Sequence, residues 1–220
     1  MKKDNCNLIA DLEARGVTVC PVVKGRSPHD VRELFDTAPQ LKMLAENRWP
    51  DCEANFKAFP HLQRHFIGHL QKNKVAKVVP LVDVIQSIDS LELLEKINDV
   101  AIENNKVISF CWQVNVSRDQ QKSGILAEEL PFILEEFLKK QWRGVKLVGL
   151  MTIGERLAPN ERLPYYLQLK SLYDQLNETV LIGANIEKMT ILSMGTSEDY
   201  EVAIRAGANM VRLGSILFEK

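Results

Sequence analysis

Nothing in this chain approaches the roughly 20 consecutive apolar residues that a membrane-spanning helix needs. Its N-terminus, Met1-Lys2-Lys3-Asp4-Asn5-Cys6, leads into a charged helix and not into an apolar signal region. A cytoplasmic protein is therefore the expectation. The cysteines Cys6, Cys20, Cys52 and Cys111 include no CxxC pair, which points to reduced, buried or half-buried thiols and away from disulfide or zinc frameworks. Charge of one sign is missing too. A formal net charge of -1 leaves no electrostatic footprint for nucleic acid or a membrane surface. The basic cluster Gln71-Lys72-Asn73-Lys74 with Lys77 reads as the solvated face of a helix. GxGxxG, GxxxxGK[ST] and GxSxG are all absent, which removes the signatures of dinucleotide sites, P-loops and serine-hydrolase elbows. No Pro/Ser/Gly-rich linker divides the chain, so residues 1–220 are expected to form one domain.

What the chain does have is alternation. Short β-branched or apolar runs fall at 17–24, 41–47, 64–68, 83–87, 107–116, 145–152, 188–193 and 210–213. Each is followed by a helical pattern, at 28–37, 51–59, 71–79, 90–105, 128–141, 161–178, 197–206 and 215–218. Ser27 with Pro28, and Ser90, stand as N-terminal helix signals. Asn5–Arg15 adds a helix ahead of the first strand. Eight strand–helix units on a repeat of roughly 25–30 residues predict a (β/α)8 TIM barrel, with a doubly wound sheet as the alternative.

In such barrels chemistry sits at the C-terminal ends of the strands. Those ends carry Lys24, Asn47, His69, Ser87 with Asp89, Asn115 with Ser117, Met151 with Thr152, Ser193 with Gly195, and Arg212 with Gly214. The loop after the seventh strand, Ser193-Met194-Gly195-Thr196-Ser197, opens toward a helix, and Gly214-Ser215 repeats the arrangement after the eighth. Glycines that admit close backbone approach, hydroxyls and free amides together read as an anion cradle for a phosphate. The plainer reading makes Thr196 and Asp199 a capping box and the glycines turns.

Lys24 terminates the apolar run Val17-Thr18-Val19-Cys20-Pro21-Val22-Val23, where partial desolvation of its ammonium is expected to favour attack on an aldehyde. A Schiff-base lysine facing a phosphate cradle suggests pyridoxal 5′-phosphate (PLP) or the sugar phosphate of an aldolase. Arg212 shares a strand face with Gly214 and only donates hydrogen bonds. Against a pyridine nitrogen it would keep that nitrogen unprotonated, and an aldolase has no need of such a group. His65 and His69 lie four apart without a third ligand at useful spacing, so no metal is expected.

The segment His65-Phe66-Ile67-Gly68-His69-Leu70-Gln71-Lys72-Asn73-Lys74 resembles the signature of the YggS/PROSC family of PLP homeostasis proteins. Glu46-Asn47-Arg48, Ser87-Ile88-Asp89-Ser90, Gln113-Val114-Asn115-Val116-Ser117, Gly149-Leu150-Met151-Thr152-Ile153, Ser193-Met194-Gly195 and Met210-Val211-Arg212-Leu213-Gly214-Ser215 carry the resemblance through the whole chain. Departures are Val23 and Gly25 around the lysine, Ala45 ahead of Glu46-Asn47, and Trp49-Pro50-Asp51 after Arg48. The resemblance implies an alanine-racemase N-terminal type of barrel that holds PLP as a Schiff base on Lys24, with Arg212 facing the pyridine nitrogen. It places Ser193, Gly195, Thr196, Ser197, Gly214 and Ser215 in the phosphate loops, and Asn47, His69 and Met151 along the cofactor.

The role it implies is PLP and amino-acid homeostasis without established turnover, the alternative being a low-activity PLP-dependent amino-acid racemase. Racemisation needs a proton donor and acceptor on both faces of a planar carbanion. Alanine racemases take the second group, a tyrosine, from a C-terminal β domain, which is not expected here after the eighth unit. Tyr165, Tyr166, Tyr173 and Tyr200 fall on predicted helices away from the mouth. A monomer that hands PLP to PLP-dependent apo-enzymes, with neither nucleic acid nor membrane as partner, is the expectation.

Overall fold

The computed structural model describes residues 3–119, 121–154, 157–181 and 187–218. The strands are β1 (Thr18–Pro21), β2 (Met43–Glu46), β3 (Gln63–Phe66), β4 (Val84–Ile88), β5 (Ile108–Asn115), β6 (Ile125–Leu126), β7 (Val145–Met151), β8 (Ile191–Thr196) and β9 (Met210–Leu213). They pair in parallel in the order β1-β9-β8-β7-β5-β4-β3-β2, and the short β6 adds to the end of β5 outside that path. A bridge between Val22 and Ala45, with the Val23 N–H donating to the Ala45 carbonyl at 2.9 Å, joins β1 to β2 and closes the ring. The fold is a closed, parallel (β/α)8 barrel.

Outside the ring lie α1 (Lys3–Ala14), α2 (Pro28–Thr37), α3 (Cys52–Ala58), α4 (Val75–Val78), α5 (Leu91–Glu103), α6 (Leu130–Leu138), α7 (Leu163–Gln175), α8 (Tyr200–Arg205) and α9 (Ser215–Phe218). The predicted caps form. Ser27 accepts from the Asp30 amide at 3.3 Å while Asp30 reaches back to the Ser27 N–H, and Ser90 accepts from the Leu93 amide at 3.3 Å. The extra helix α1 docks on the far end of the chain, where Asn5 donates to the Leu217 carbonyl at 3.0 Å.

Two expectations change. The helix read over 71–79 breaks into a 3-10 turn at Lys72–Lys74, the single turn α4 and a second 3-10 turn at Val79–Leu81. Pro80 has no amide to continue an α-helical ladder, which ends it there. The seventh barrel strand runs to Thr196 and does not stop at Ser193, so Ser193 and Gly195 belong to a strand and not to a loop.

Period-2 alternation divides the side chains into two layers. Val19, Phe66, Ile85 and Val211 point outward into the large core beneath the helices. Cys20, Val22, Ala45 and Met210 form a small apolar cluster of their own. Buried beside Met210, where Gln86 meets its sulfur, is a polar group of His65, Gln86, Ser193 and Arg212. All four cysteines are free thiols, three of them buried.

Candidate functional site

A cavity opens at the C-terminal ends of the strands in two adjoining lobes, of about 560 and about 840 Å³. Lys24, Thr196 and Arg212 line both. Asn47, Arg48, Trp49, His69 and Lys74 belong to the smaller lobe, and Lys122, Arg162, Ser197, Gly214 and Ser215 to the larger.

Lys24 stands just past the bridge that closes the barrel. Its side chain is exposed, which corrects the expectation of partial desolvation: β1 ends at Pro21, and the lysine lies on the turn beyond the strand, at the open mouth. The wall of the smaller lobe is drawn together at Gly68. A Cβ there would lie 1.9 Å from the Asn47 carbonyl oxygen, so only glycine lets the β3 loop close on the β2 loop. That contact sets Asn47 and His69 on one wall. Ser87 donates to the Gly68 carbonyl at 2.6 Å from the next strand, and His69 Nδ1 lies 3.3 Å from Ser123 Oγ and 3.4 Å from Asp89 Oδ2.

In the larger lobe, the N–H groups of Gly214 and Ile216 converge on Ser197 Oγ, at 3.0 and 3.5 Å. The hydroxyl hydrogen of Ser197 meets no protein acceptor among the described residues. The two amides spend their hydrogens on the Ser197 oxygen and so fix the hydroxyl, leaving its O–H as a donor suited to a phosphate oxygen. Thr196 is used differently. Its amide and its hydroxyl both donate to Asp199 Oδ1, at 2.7 and 2.9 Å, and the Asp199 amide goes to the Thr196 carbonyl, so the expected capping box does not form: Asp199 itself is the N-cap of α8 and makes no side-chain cap bond.

Asp199 Oδ2 in turn accepts from Arg162 Nη1 at 2.7 Å and, in a short contact, from the Tyr166 hydroxyl. Burial alone would raise the Asp199 pKa, but the hydrogen bonds from Tyr166, Arg162 and Thr196 outweigh it and hold the carboxyl below its ordinary value. Arg212 is buried, and among the described residues no carboxylate is bonded to it. Nη1 donates to Ser193 Oγ at 2.8 Å and Nη2 to the Thr152 carbonyl at 2.8 Å. Burial lowers its pKa from the ordinary arginine value.

Of the residues singled out in the sequence, Lys24, Asn47, His69, Thr196, Ser197, Arg212, Gly214 and Ser215 meet at this cavity. Met151, Ser193 and Gly195 lie behind it. Met151 is fully buried in β7, and Ser193 is the acceptor beneath Arg212. Gly195, at φ +89°, sits where the β8–β9 register shifts, and a Cβ there would fall 2.6 Å from the Ala203 Cβ. It lets α8 pack on β8. Arg48, Trp49, Lys74, Lys122 and Arg162 line the cavity without having been singled out. Lys74 was hidden in a charge run. Arg162 and Tyr166 are more than 30 positions from Asp199, so no local pattern joins them. Tyr166, placed away from the mouth by its helix, reaches the back of the β8 loop.

The family model of the alanine racemase N-terminal domain matches residues 3–219. A pyridoxal phosphate homeostasis protein of Aquifex aeolicus (strain VF5) is 36% identical over 194 residues, covering 87% of this chain and 81% of its own. Its counterpart from Synechocystis sp. (strain ATCC 27184 / PCC 6803 / Kazusa) is 34% identical over 206 residues, covering 92% of this chain and 90% of its own. Among solved structures, PipY of Synechococcus elongatus PCC7942 with PLP bound superposes with a TM-score of 0.84 at 29% identity, over 97% of this chain and 99% of that one. Alanine racemase of Clostridium difficile 630 in complex with cycloserine shares the fold, with a TM-score of 0.73 at 20% identity, over 97% of this chain and 57% of that one.

Proposed function

Given that the chain belongs to the family of the alanine racemase N-terminal domain, and within it to the YggS/PROSC pyridoxal phosphate homeostasis proteins, we propose that it binds PLP in the two-lobed cavity and serves PLP homeostasis. The observation that carries the reading is the meeting of three donor types in one cavity: the Lys24 amine, the Arg212 guanidinium, and the Ser197 hydroxyl, whose oxygen is held by the Gly214 and Ile216 amides. PLP supplies an aldehyde that a primary amine captures reversibly with loss of water, a phosphate dianion, and a pyridine nitrogen.

Each of these meets a complementary group. The Ser197–Gly214–Ser215 corner holds the phosphate. Arg212, which only donates, meets the ring nitrogen as an acceptor and keeps it unprotonated. Lys24 stands at the open mouth, where its amine takes up the aldehyde and gives it back. Gly195 and Ser193 act from behind, the one by admitting α8 and the other by holding Arg212, and Met151 packs beneath the same floor.

An exposed lysine and an open mouth suit custody of a reactive aldehyde and its release to PLP-dependent apo-enzymes in the cytoplasm, by a monomer. Among the described residues no helix is long and apolar enough to cross a membrane, and no tyrosine lines the cavity to serve as the second base of a racemase.

The test is borohydride reduction of the PLP-loaded protein followed by peptide mass spectrometry. The cofactor should be fixed on Lys24, and Lys24→Ala should fix none while still binding PLP through its phosphate. Fixation on another lysine would overturn the assignment. Rapid α-deuterium incorporation into L-alanine in D2O would favour the racemase instead.

A further inference from the structure

A line of buried polar side chains runs through the barrel from the cavity to the opposite end. Arg212 Nη1 lies 2.8 Å from Ser193 Oγ, and Ser193 Oγ 2.7 Å from Gln86 Oε1. Gln86 Nε2 lies 2.8 Å from His65 Nδ1, and His65 Nε2 2.9 Å from Gln63 Oε1. Ser193, Gln86 and His65 are fully buried. Gln63, the first residue of β3, is exposed at the N-terminal end of the barrel. None of Ser193, Gln86, His65 and Gln63 lines the cavity.

The direction of every bond in this line follows from its first member. A guanidinium has no acceptor, so Ser193 must accept from Arg212. The single hydroxyl hydrogen of Ser193 is then free to go to the Gln86 carbonyl oxygen. That turns the Gln86 amide nitrogen toward His65, so Nδ1 must be the bare, accepting nitrogen of the ring. The proton therefore sits on Nε2, which donates to the Gln63 carbonyl oxygen. One neutral tautomer of His65 satisfies the line. A second proton, on Nδ1, would set two donors face to face and would add a second buried cation to Arg212.

We infer that His65 and Gln86 are positioning residues for Arg212, holding its guanidinium at the cavity floor through a one-directional hydrogen-bond relay that requires neutral His65 with its proton on Nε2. The inference rests on the placement of Arg212 in the PLP site proposed above, and it deepens that reading by naming what keeps the guanidinium in place. Among the described residues no carboxylate is bonded to Arg212, whose guanidinium donates to Ser193 and to the Thr152 carbonyl. Aligned dipoles stand in for a counter-ion, each link polarising the next. Without Gln86 the Ser193 hydroxyl is free to turn its hydrogen toward Arg212 and cease to accept.

The test uses the full chain without cofactor, so its outcome is separate from whether PLP binds. Nitrogen-15 NMR of the wild-type protein at neutral pH should show His65 with Nδ1 bare and Nε2 protonated. The opposite tautomer, or an imidazolium, would overturn the inference and needs no variant. Hydrogen exchange of the Arg212 guanidinium should quicken about tenfold in Gln86→Leu and in His65→Leu, the loss of roughly one net hydrogen bond of restraint. It should stay near the wild-type rate in His65→Gln, whose amide both accepts and donates. Unchanged exchange in both leucine variants would overturn the relay. PLP titration of the wild-type protein, run alongside, decides the cofactor reading by itself.

Discussion

The hydroxyl oxygen of Ser197 lies 3.0 Å from the backbone nitrogen of Gly214 and takes its N–H across the gap between the β8 and β9 loops. The same oxygen faces the Ile216 amide at 3.5 Å. One side chain thus organises the amides of the next loop and keeps its own hydrogen for a ligand. Ser197→Ala should therefore weaken PLP and inorganic phosphate together, by about tenfold, the worth of one hydrogen bond to a charged acceptor. Pyridoxal, which has no phosphate, should bind both proteins alike. Titration by calorimetry with the three ligands checks this, and equal loss for pyridoxal would move the phosphate away from Ser197.

Asp199 ties this corner to the helix layer. It accepts from Thr196, Arg162 and Tyr166, and its side chain is wholly buried. Asp199→Asn keeps the shape but removes the charge opposite Arg162, which should destabilise the protein by about 3 kcal/mol, as when one partner of a buried pair is lost. Because the folded Asp199 pKa is depressed, its contribution is present above the ordinary carboxylate range and is lost as the pH falls through it. Urea denaturation from pH 7 to pH 3 should show a steeper acid limb in the wild-type protein than in the variant. Parallel limbs would contradict the ion-pair account.

The barrel was legible because its elements are periodic. Strand runs and helix stripes repeat down the chain, and Met210–Leu213 and Ser215–Phe218 fall where the pattern puts them. The outward-facing core was legible for the same reason. The barrel interior was not. Gln86 sits in a run, Val84-Ile85-Gln86-Ser87-Ile88, that reads as an ordinary buried strand, and its partners His65 and Ser193 are 21 and 107 positions away. A hydrogen bond across a barrel leaves no local signature. The same holds for Arg162 and Tyr166 beneath Asp199. Lys24 was found by position, but its exposure depended on where β1 ends, which apolar content alone overestimated.

Glu46 carries a second buried acceptor problem, next to the lysine turn. Its Oε1 accepts from Asn55 Nδ2 at 2.8 Å, and Asn55 Nδ2 also donates to the Arg26 carbonyl at 3.1 Å, two residues beyond Lys24. Among the described residues, Glu46 Oε2 and Asn55 Oδ1 meet no donor. Burial raises the Glu46 pKa, against the Asn55 and Asn47 hydrogen bonds that lower it. A group with a raised folded pKa contributes stability below its unfolded pKa and loses it as the pH rises through the folded one. Glu46→Gln replaces the acceptor Oε2, which meets no donor among the described residues, with an amide NH2, and has no charge to bury. It should be more stable than wild type by about 1 kcal/mol at alkaline pH, with the gain shrinking as the pH falls. Thermal melts across that range check the sign, and a variant less stable at alkaline pH would refute the account.

His65 sets the acid response of the barrel interior. Burial pushes its pKa down to about 4, and the charge of Asp83, itself paired with Arg64 and Lys106, opposes the shift. The unfolded imidazole titrates near its ordinary value, 6.5. Between those two values the unfolded chain binds a proton that the folded chain refuses, so stability falls as the pH drops through that window and this group adds no further loss below it. The full effect is roughly 3 kcal/mol, the product of the shift and the free energy per pH unit. His65→Gln preserves an acceptor toward Gln86 and a donor toward Gln63 but cannot titrate. Its stability should therefore run nearly level from pH 6.5 to pH 4 where the wild-type curve descends, apart from the carboxylates common to both. Denaturant midpoints of the two proteins at pH 7 and pH 4.5 measure the difference directly. Equal losses on acidification would mean that His65 takes up its proton in the folded barrel as readily as in water, which a ring enclosed by Gln86 and Gln63 does not allow.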